Sequence, residues 1–171
     1  MRERIMLSVS QVNGCKYCCY VHTHWAQLEG ASDEELARLD GLDPDSFDRD
    51  EWLAMSYAVS LAEGDFTHMG SELADEIERR SGSQRRDDVE TIARVMTFAN
   101  LMANTLDAFI GRLKGAPDPD GRVLDEVLIS SVLLLTGPFS VIVLAAILRM
   151  SPIRFVREIL QLQGSVSGQT S

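Results

Sequence analysis

The stretch Ser10-Gln11-Val12-Asn13-Gly14-Cys15-Lys16-Tyr17-Cys18-Cys19-Tyr20-Val21-His22-Thr23-His24-Trp25-Ala26 decides how the chain is read. Asn13-Gly14 is a helix stop, so the cysteines open a new helix with Cys15 in its first turn. A thiolate there meets the positive end of the helix dipole and unpaired backbone N–H groups, which favour it. Cys15 and Cys18 are three apart, share one face and can close a disulfide. Cys18 and His22 are four apart on the same face, where an imidazole can take the thiol proton. A thiolate beside a base and a second thiol can be oxidised and then resolved as a disulfide.

The same spacing is also half of a zinc site, which leaves a metal-binding protein as an alternative. His22, His24 and Cys19 are the local candidates to complete it. Cys18, Cys19 and His24 point in different helical directions, and no second Cys-x-x-Cys exists, which favours redox chemistry with no metal. Cys19, about 100° around the helix from Cys18, reads as a buried small hydrophobe. His24 lies off the Cys15–Cys18–His22 stripe and reads as a surface residue. His68 falls in a loop flanked by Gly, Asp and Thr, with no nameable partner.

Around this segment the composition is that of one soluble domain. The chain has 171 residues, 45% hydrophobic and 25% charged, with a net charge of −10. Nucleic-acid binding is excluded as an expectation, because phosphate contact needs clustered cations and the only lysines are Lys16 and Lys114. The three cysteines sit within five residues, unlike the spread pairs of a secreted disulfide scaffold. Met1-Arg2-Glu3-Arg4 leads into only Ile5-Met6-Leu7, too brief for a signal peptide. The expectation is a reducing, cytoplasmic setting.

Apolar periodicity is helical almost throughout. Gly30 closes the cysteine helix, and Ser32 with Glu35 forms a capping box for a short helix through Leu39. The run 41–50, with Pro44, reads as a loop. Trp52, Met55, Ala58, Val59 and Ala62 mark a helix that Gly64 ends, another spans 71–80, and the longest runs from about Asp87 to Leu113. Lys114-Gly115 and Pro117-Asp118-Pro119-Asp120-Gly121 break the chain there. Beyond the breaker the charge pattern changes. Residues 1–126 carry 13 basic and 25 acidic groups, and residues 127–171 carry three and one.

Val127–Leu148 is 22 residues without a charge, long enough for a membrane span. Gly137-Pro138 in its middle favours instead two packed helices, about 124–136 and 138–149, in a core or an oligomer interface. Ser151-Pro152 then opens a last helix near 152–162. The expected organisation is a redox domain over 1–115, apolar C-terminal helices over 122–163 and a disordered tail over 164–171. A large apolar C-terminal surface also argues for a homo-oligomer.

Glu3, Ser10, Asn13, Cys15, Tyr17, Cys18, His22 and Ala26 stand at the spacing of a known motif, Glu…Ser-x-x-Asn-x-Cys-x-x-Cys-x-x-x-His. The segment resembles the alkylhydroperoxidase D-like family of the carboxymuconolactone decarboxylase superfamily. More loosely, Phe98-Ala99-Asn100-Leu101-Met102-Ala103-Asn104-Thr105-Leu106-Asp107 looks like that superfamily's second characteristic helix. The resemblance implies an all-α, alkylhydroperoxidase D-like fold, here extended by the apolar C-terminal segment, and association into oligomers. It implies that Cys18 attacks a hydroperoxide, Cys15 resolves it, His22 is the base and Glu3 orients and polarises His22. No bound cofactor is implied; the reductant would be a lipoylated protein or a small dithiol. Tyr17 departs from members that carry an extra histidine between the cysteines. Decarboxylase members lack the Cys-x-x-Cys pair, which disfavours lactone decarboxylation. Asn104 and Asp107 share a helix face and read as a structural polar contact between helices.

Overall fold

Helices follow the glycine and proline punctuation closely. A computed structural model of the chain describes residues 1–67 and 71–165. In order these form α1 (Arg2–Val12), α2 (Lys16–Leu28), α3 (Asp33–Ala37), α4 (Arg49–Glu63), α5 (Ser71–Ser81), α6 (Ser83–Leu113), α7 (Val123–Ile147) and α8 (Pro152–Ser165). The fold is all-α, with no strand among the described residues. Short 3-10 turns at Arg38–Asp40 and Pro44–Ser46 fill the connection from α3 to α4. The tail expected to be disordered lies outside the described residues from 166 onward, and α8 runs to Ser165. The chain divides into two units, Met1–Leu101 and Met102–Ser171, the division falling within α6.

In the first unit α1 is the central element, packing against α2 and α4. Ile5, Leu7 and Val9 of α1 join Leu53, Met55, Tyr57, Ala58 and Leu61 of α4, Ile77 of α5, and Val89, Ala93 and Met96 of α6 in one apolar core. Yet α1 also buries Glu3, Ser8 and Ser10. The serines tolerate this because each hydroxyl donates within the helix, Ser8 Oγ to the Arg4 carbonyl at 2.9 Å and Ser10 Oγ to the Met6 carbonyl at 2.7 Å. At its exposed edge, Arg4 is held between Glu51, at 2.7 Å, and Glu35. Trp52 Nε1 donates to the Leu42 carbonyl at 2.6 Å and so fastens the 41–50 loop onto α4.

The turn from α1 to α2 is built from the Asn13-Gly14 stop. Gly14 adopts φ +61°, and two bonds close the end of α1: Cys15 N–H to the Ser10 carbonyl at 3.0 Å, and Gly14 N–H to the Gln11 carbonyl at 3.0 Å. This is a Schellman closure, which requires the left-handed conformation at its penultimate position. The chain leaves it directly into α2, so Cys15 ends one motif and caps the next.

In the second unit the expected break at Gly137-Pro138 does not occur: α7 runs through Pro138 as one helix of 25 residues. Proline disfavours a helical residue before it through contact of its ring with that residue's Cβ and N–H. Gly137 has no Cβ, which removes half of that clash. Flanking hydroxyls add bonds to the local ladder, Thr136 Oγ1 to the Val132 carbonyl at 2.9 Å and Ser140 Oγ to the Thr136 carbonyl at 3.1 Å. At the start of α7 the buried Glu126 accepts two bonds from Arg112, each 2.7 Å, and this guanidinium holds the carboxyl below the usual carboxylate range. Gly121 passes so close to Glu126 Oε1 that a Cβ there would collide with it. Ser151 caps α8, its Oγ accepting from Arg154 N–H at 3.2 Å, with Pro152 at the first helical position.

Replacing Gly14 with alanine should cost about 1–2 kcal/mol, the penalty for an L-residue in the left-handed region. The space around it is open, so conformation alone sets the cost. Gly41, at φ −100° and equally unobstructed, should accept alanine within about 0.5 kcal/mol. Urea unfolding of the two variants checks the contrast.

Candidate active site

The cysteine helix starts one residue later than its sequence suggests. Cys15 is the N-cap of α2, in extended conformation, and not part of its first turn. Its Sγ accepts the Cys18 backbone N–H at 3.3 Å, which gives a thiolate there the same stabilisation that a serine or aspartate cap receives. Cys15 and Cys18 are joined as a disulfide with their Cα atoms 5.3 Å apart. Their exposure differs: Cys15 is 0% exposed, whereas Cys18 is half-buried. Cys18 is therefore the more exposed residue of the pair. Cys19 lies outside the disulfide, half-buried against the apolar core.

Glu3 stands in the first turn of α1 and is 1% exposed. His22 comes from the middle of α2, nineteen residues later in sequence, and its Nδ1 lies 2.8 Å from Glu3 Oε2. An ionised carboxylate can only accept, so Nδ1 carries the proton and donates it to Glu3. The Nε2 lone pair is then left to accept a proton. The Trp25 ring lies nearly parallel to that of His22, centroids 6.4 Å apart. Glu3 Oε1 makes no hydrogen bond within the protein; Arg2 Nε is 3.5 Å away. Glu3 also lines a recess of about 40 Å³ with Met1, Arg4, Ala26, Glu29 and Ala31, which is room for a water molecule.

The other motif positions hold the frame. Ser10 Oγ lies 3.3 Å from Asn100 Oδ1, and Asn100 Nδ2 donates to the Val9 carbonyl at 3.4 Å. Asn13 Nδ2 donates to Thr97 Oγ1 at 3.2 Å. These bonds tie the end of α1 to α6, immediately before the turn that delivers Cys15. Asn100 was not singled out by sequence reasoning, which weighted Asn104 and Asp107 further along the same helix. The signal was present nonetheless: Val89, Ala93, Met96 and Asn100 form the buried stripe of α6, and Asn100 is its one polar member. Asn104 and Asp107 are half-buried in the second unit.

His24 lies off the site stripe. Its Nδ1 donates to the Tyr20 carbonyl at 2.9 Å and its ring packs on Tyr20; it is half-buried, not fully exposed. His68 lies outside the described residues. Among the described residues no group of three or more His, Cys, Asp or Glu side chains could hold a metal ion.

Residues 1–63 match the family model described as the carboxymuconolactone decarboxylase family. The match covers α1 to α4 and includes Glu3, Cys15, Cys18 and His22, and it supports that superfamily. No curated protein and no solved structure matches the chain.

Two measurements check this geometry. Alkylation of the unreduced, unfolded protein should add one adduct, on Cys19, and after reduction three, read by intact mass. Asn100→Ala should cost about 0.5–1.5 kcal/mol in urea unfolding, the net worth of a typical hydrogen bond, because the Val9 carbonyl keeps the Asn13 N–H and the Ser10 hydroxyl keeps the Met6 carbonyl.

Proposed function

We propose that the chain is a thiol-dependent peroxidase that cycles Cys15 and Cys18 between dithiol and disulfide. The observation that carries this is the buried Glu3–His22 hydrogen bond on the helix that also bears the disulfide. A base oriented by a carboxylate, beside a thiol pair at a helix N-terminus, is the arrangement that activates a thiol nucleophile.

The roles in this reading are as follows. Cys18 is the nucleophile, since it is the more exposed of the pair and it lies one turn before His22. His22 Nε2 takes the Cys18 proton. The thiolate attacks the outer oxygen of a hydroperoxide, the O–O bond breaks, and the alkoxide leaves as alcohol with a proton returned from His22. Cys18 is then a sulfenic acid. Cys15 attacks its sulfur, expelling water and forming the disulfide. An external dithiol closes the cycle by attacking Cys18, and Cys15 departs as the capped thiolate, a stabilised leaving group. One hydroperoxide and one dithiol thus become alcohol, water and oxidised dithiol.

Glu3 acts through His22 as a positioning residue. It fixes the tautomer, and its recess offers a water contact through which the pair can exchange protons with solvent. The reductant is a small dithiol or a lipoylated protein, the setting is the cytoplasm, and the chain works as a homo-oligomer. Self-association is supported by Val95, Phe98 and Leu101, spaced along one side of α6 and all more than half exposed.

Peroxide-dependent oxidation of a dithiol should vanish in Cys18→Ser. Cys15→Ser should stop after one turnover at a sulfenic acid that dimedone traps. His22→Gln should lower kcat/KM by about 10²–10⁴-fold, the usual share of a general base. Glu3→Gln should fall toward the His22→Gln rate and alter the pH profile, because an amide can donate to Nδ1 and leave Nε2 protonated. Full activity in Cys18→Ser would overturn the assignment.

A further inference from the structure

The 22 uncharged residues from Val127 to Leu148 make about 33 Å of helix at 1.5 Å per residue. The hydrocarbon core of a bilayer is about 30 Å thick. Helices of this composition are also found as the core of soluble proteins, where most of their side chains are buried. In α7 the reverse holds: 6% of its most apolar stretch is buried. Leu124 and Leu135 are each 84% exposed, Phe139 74% and Leu134 67%. Such a contiguous surface is larger than a soluble monomer leaves in water.

Three of the four hydroxyls in the uncharged run are arranged as a hydrocarbon environment demands, and the fourth, Ser130, is buried against the protein. Ser131 Oγ donates to the Val127 carbonyl at 2.6 Å, and Thr136 and Ser140 donate likewise within the helix. These exposed or half-exposed hydroxyls therefore need no water. Charge gathers at the two ends, with Arg122, Asp125 and Glu126 before the run and Arg149 immediately after it. The chain then turns sharply, Arg149 taking φ +53°, into α8. There Ile153, Val156 and Leu160 are exposed and line a shallow apolar groove with Arg157 and Gln161. Arg157 accompanies them beside Arg154, which pairs with Glu158 at 2.6 Å, the only acidic residue after position 126. A helix with an apolar face and flanking arginines suits the headgroup layer of an anionic membrane. The uncharged run, about 33 Å long, and the arginines at its C-terminal end together match the core and the anionic headgroups of a bilayer, and this selects lipid.

We infer that α7 inserts into a lipid bilayer and that α8 lies along its anionic headgroup surface. This holds the redox unit at a membrane, whichever hydroperoxide or disulfide that unit reduces.

The test is flotation of the full chain with vesicles of phosphatidylcholine and phosphatidylglycerol, together with alkaline carbonate extraction of membranes from expressing cells. The protein should float and should resist extraction. Leu134→Asp/Phe139→Asp, which alters two exposed side chains, should lower the floated fraction at least tenfold while the Cys15–Cys18 disulfide still forms. Arg154→Gln/Arg157→Gln should weaken binding to anionic vesicles several-fold and leave neutral vesicles unaffected. Wild-type protein that stays at the bottom of the gradient overturns the inference, whether as aggregate or as oligomer. If it is a defined oligomer that Leu134→Asp/Phe139→Asp splits, the face belongs to a second copy.

Discussion

A carboxylate 1% exposed to solvent constrains the whole first unit. Burial of a charge is costly unless a hydrogen-bonded partner is buried with it. For Glu3 that partner is His22 Nδ1 at 2.8 Å, so α2 must lie across the start of α1 at a fixed height. Fixing α2 fixes the stripe on which Cys18 sits, and with it the face that can be reactive. The apolar contacts of Ile5, Leu7 and Val9 stabilise the assembly, but many arrangements of helices would bury them. The polar pair selects among those arrangements.

The second constraint is the turn that joins these helices. It has to end α1, reverse the chain and start α2 within three residues. The left-handed Gly14 ends the first helix, and the Cys15 sulfur, accepting the Cys18 N–H, begins the next. Cys15 is thereby removed from solvent while Cys18 is left half-exposed. Two cysteines three residues apart thus differ in exposure through the shape of the turn. Asn13 and Ser10 keep that turn in place by bonding to Thr97 and Asn100 of α6.

Much of this was legible in the sequence, and the illegible parts share a physical cause. Helix ends could be read wherever they depend on local chemistry, as at Gly14, Gly30, Ser32, Gly64 and Ser151. The Cys15–Cys18 pairing could be read because a three-residue spacing carries it. Glu3 could not be read from spacing, since nothing local distinguishes it from a solvated first-turn carboxylate; only the family motif pointed to it. Asn100 escaped for the same reason, because its partners lie about ninety positions away. The break expected at Pro138 failed on a local detail, the missing Cβ of Gly137. Proline rules are rules about the preceding residue as well.

The two helices that most resist a hydropathy reading argue the same point from opposite ends. α1 carries a glutamate, two arginines and two serines, yet it sits at the centre of its unit. α7 is the most apolar element in the chain, yet it is largely uncovered. Burial is decided by whether a helix's polar groups find partners and by what other surfaces are on offer. In α1 the serines bond their own backbone, Glu3 finds His22, and Arg4 reaches out to Glu35 and Glu51, so the remaining apolar positions can be enclosed. The exposed face of α7 has no such surface among the described residues to cover it. The hydrophobic effect still acts on that face, so the free energy left unrealised in the isolated chain is available to a solvent other than water, and the helix is long enough to reach across one.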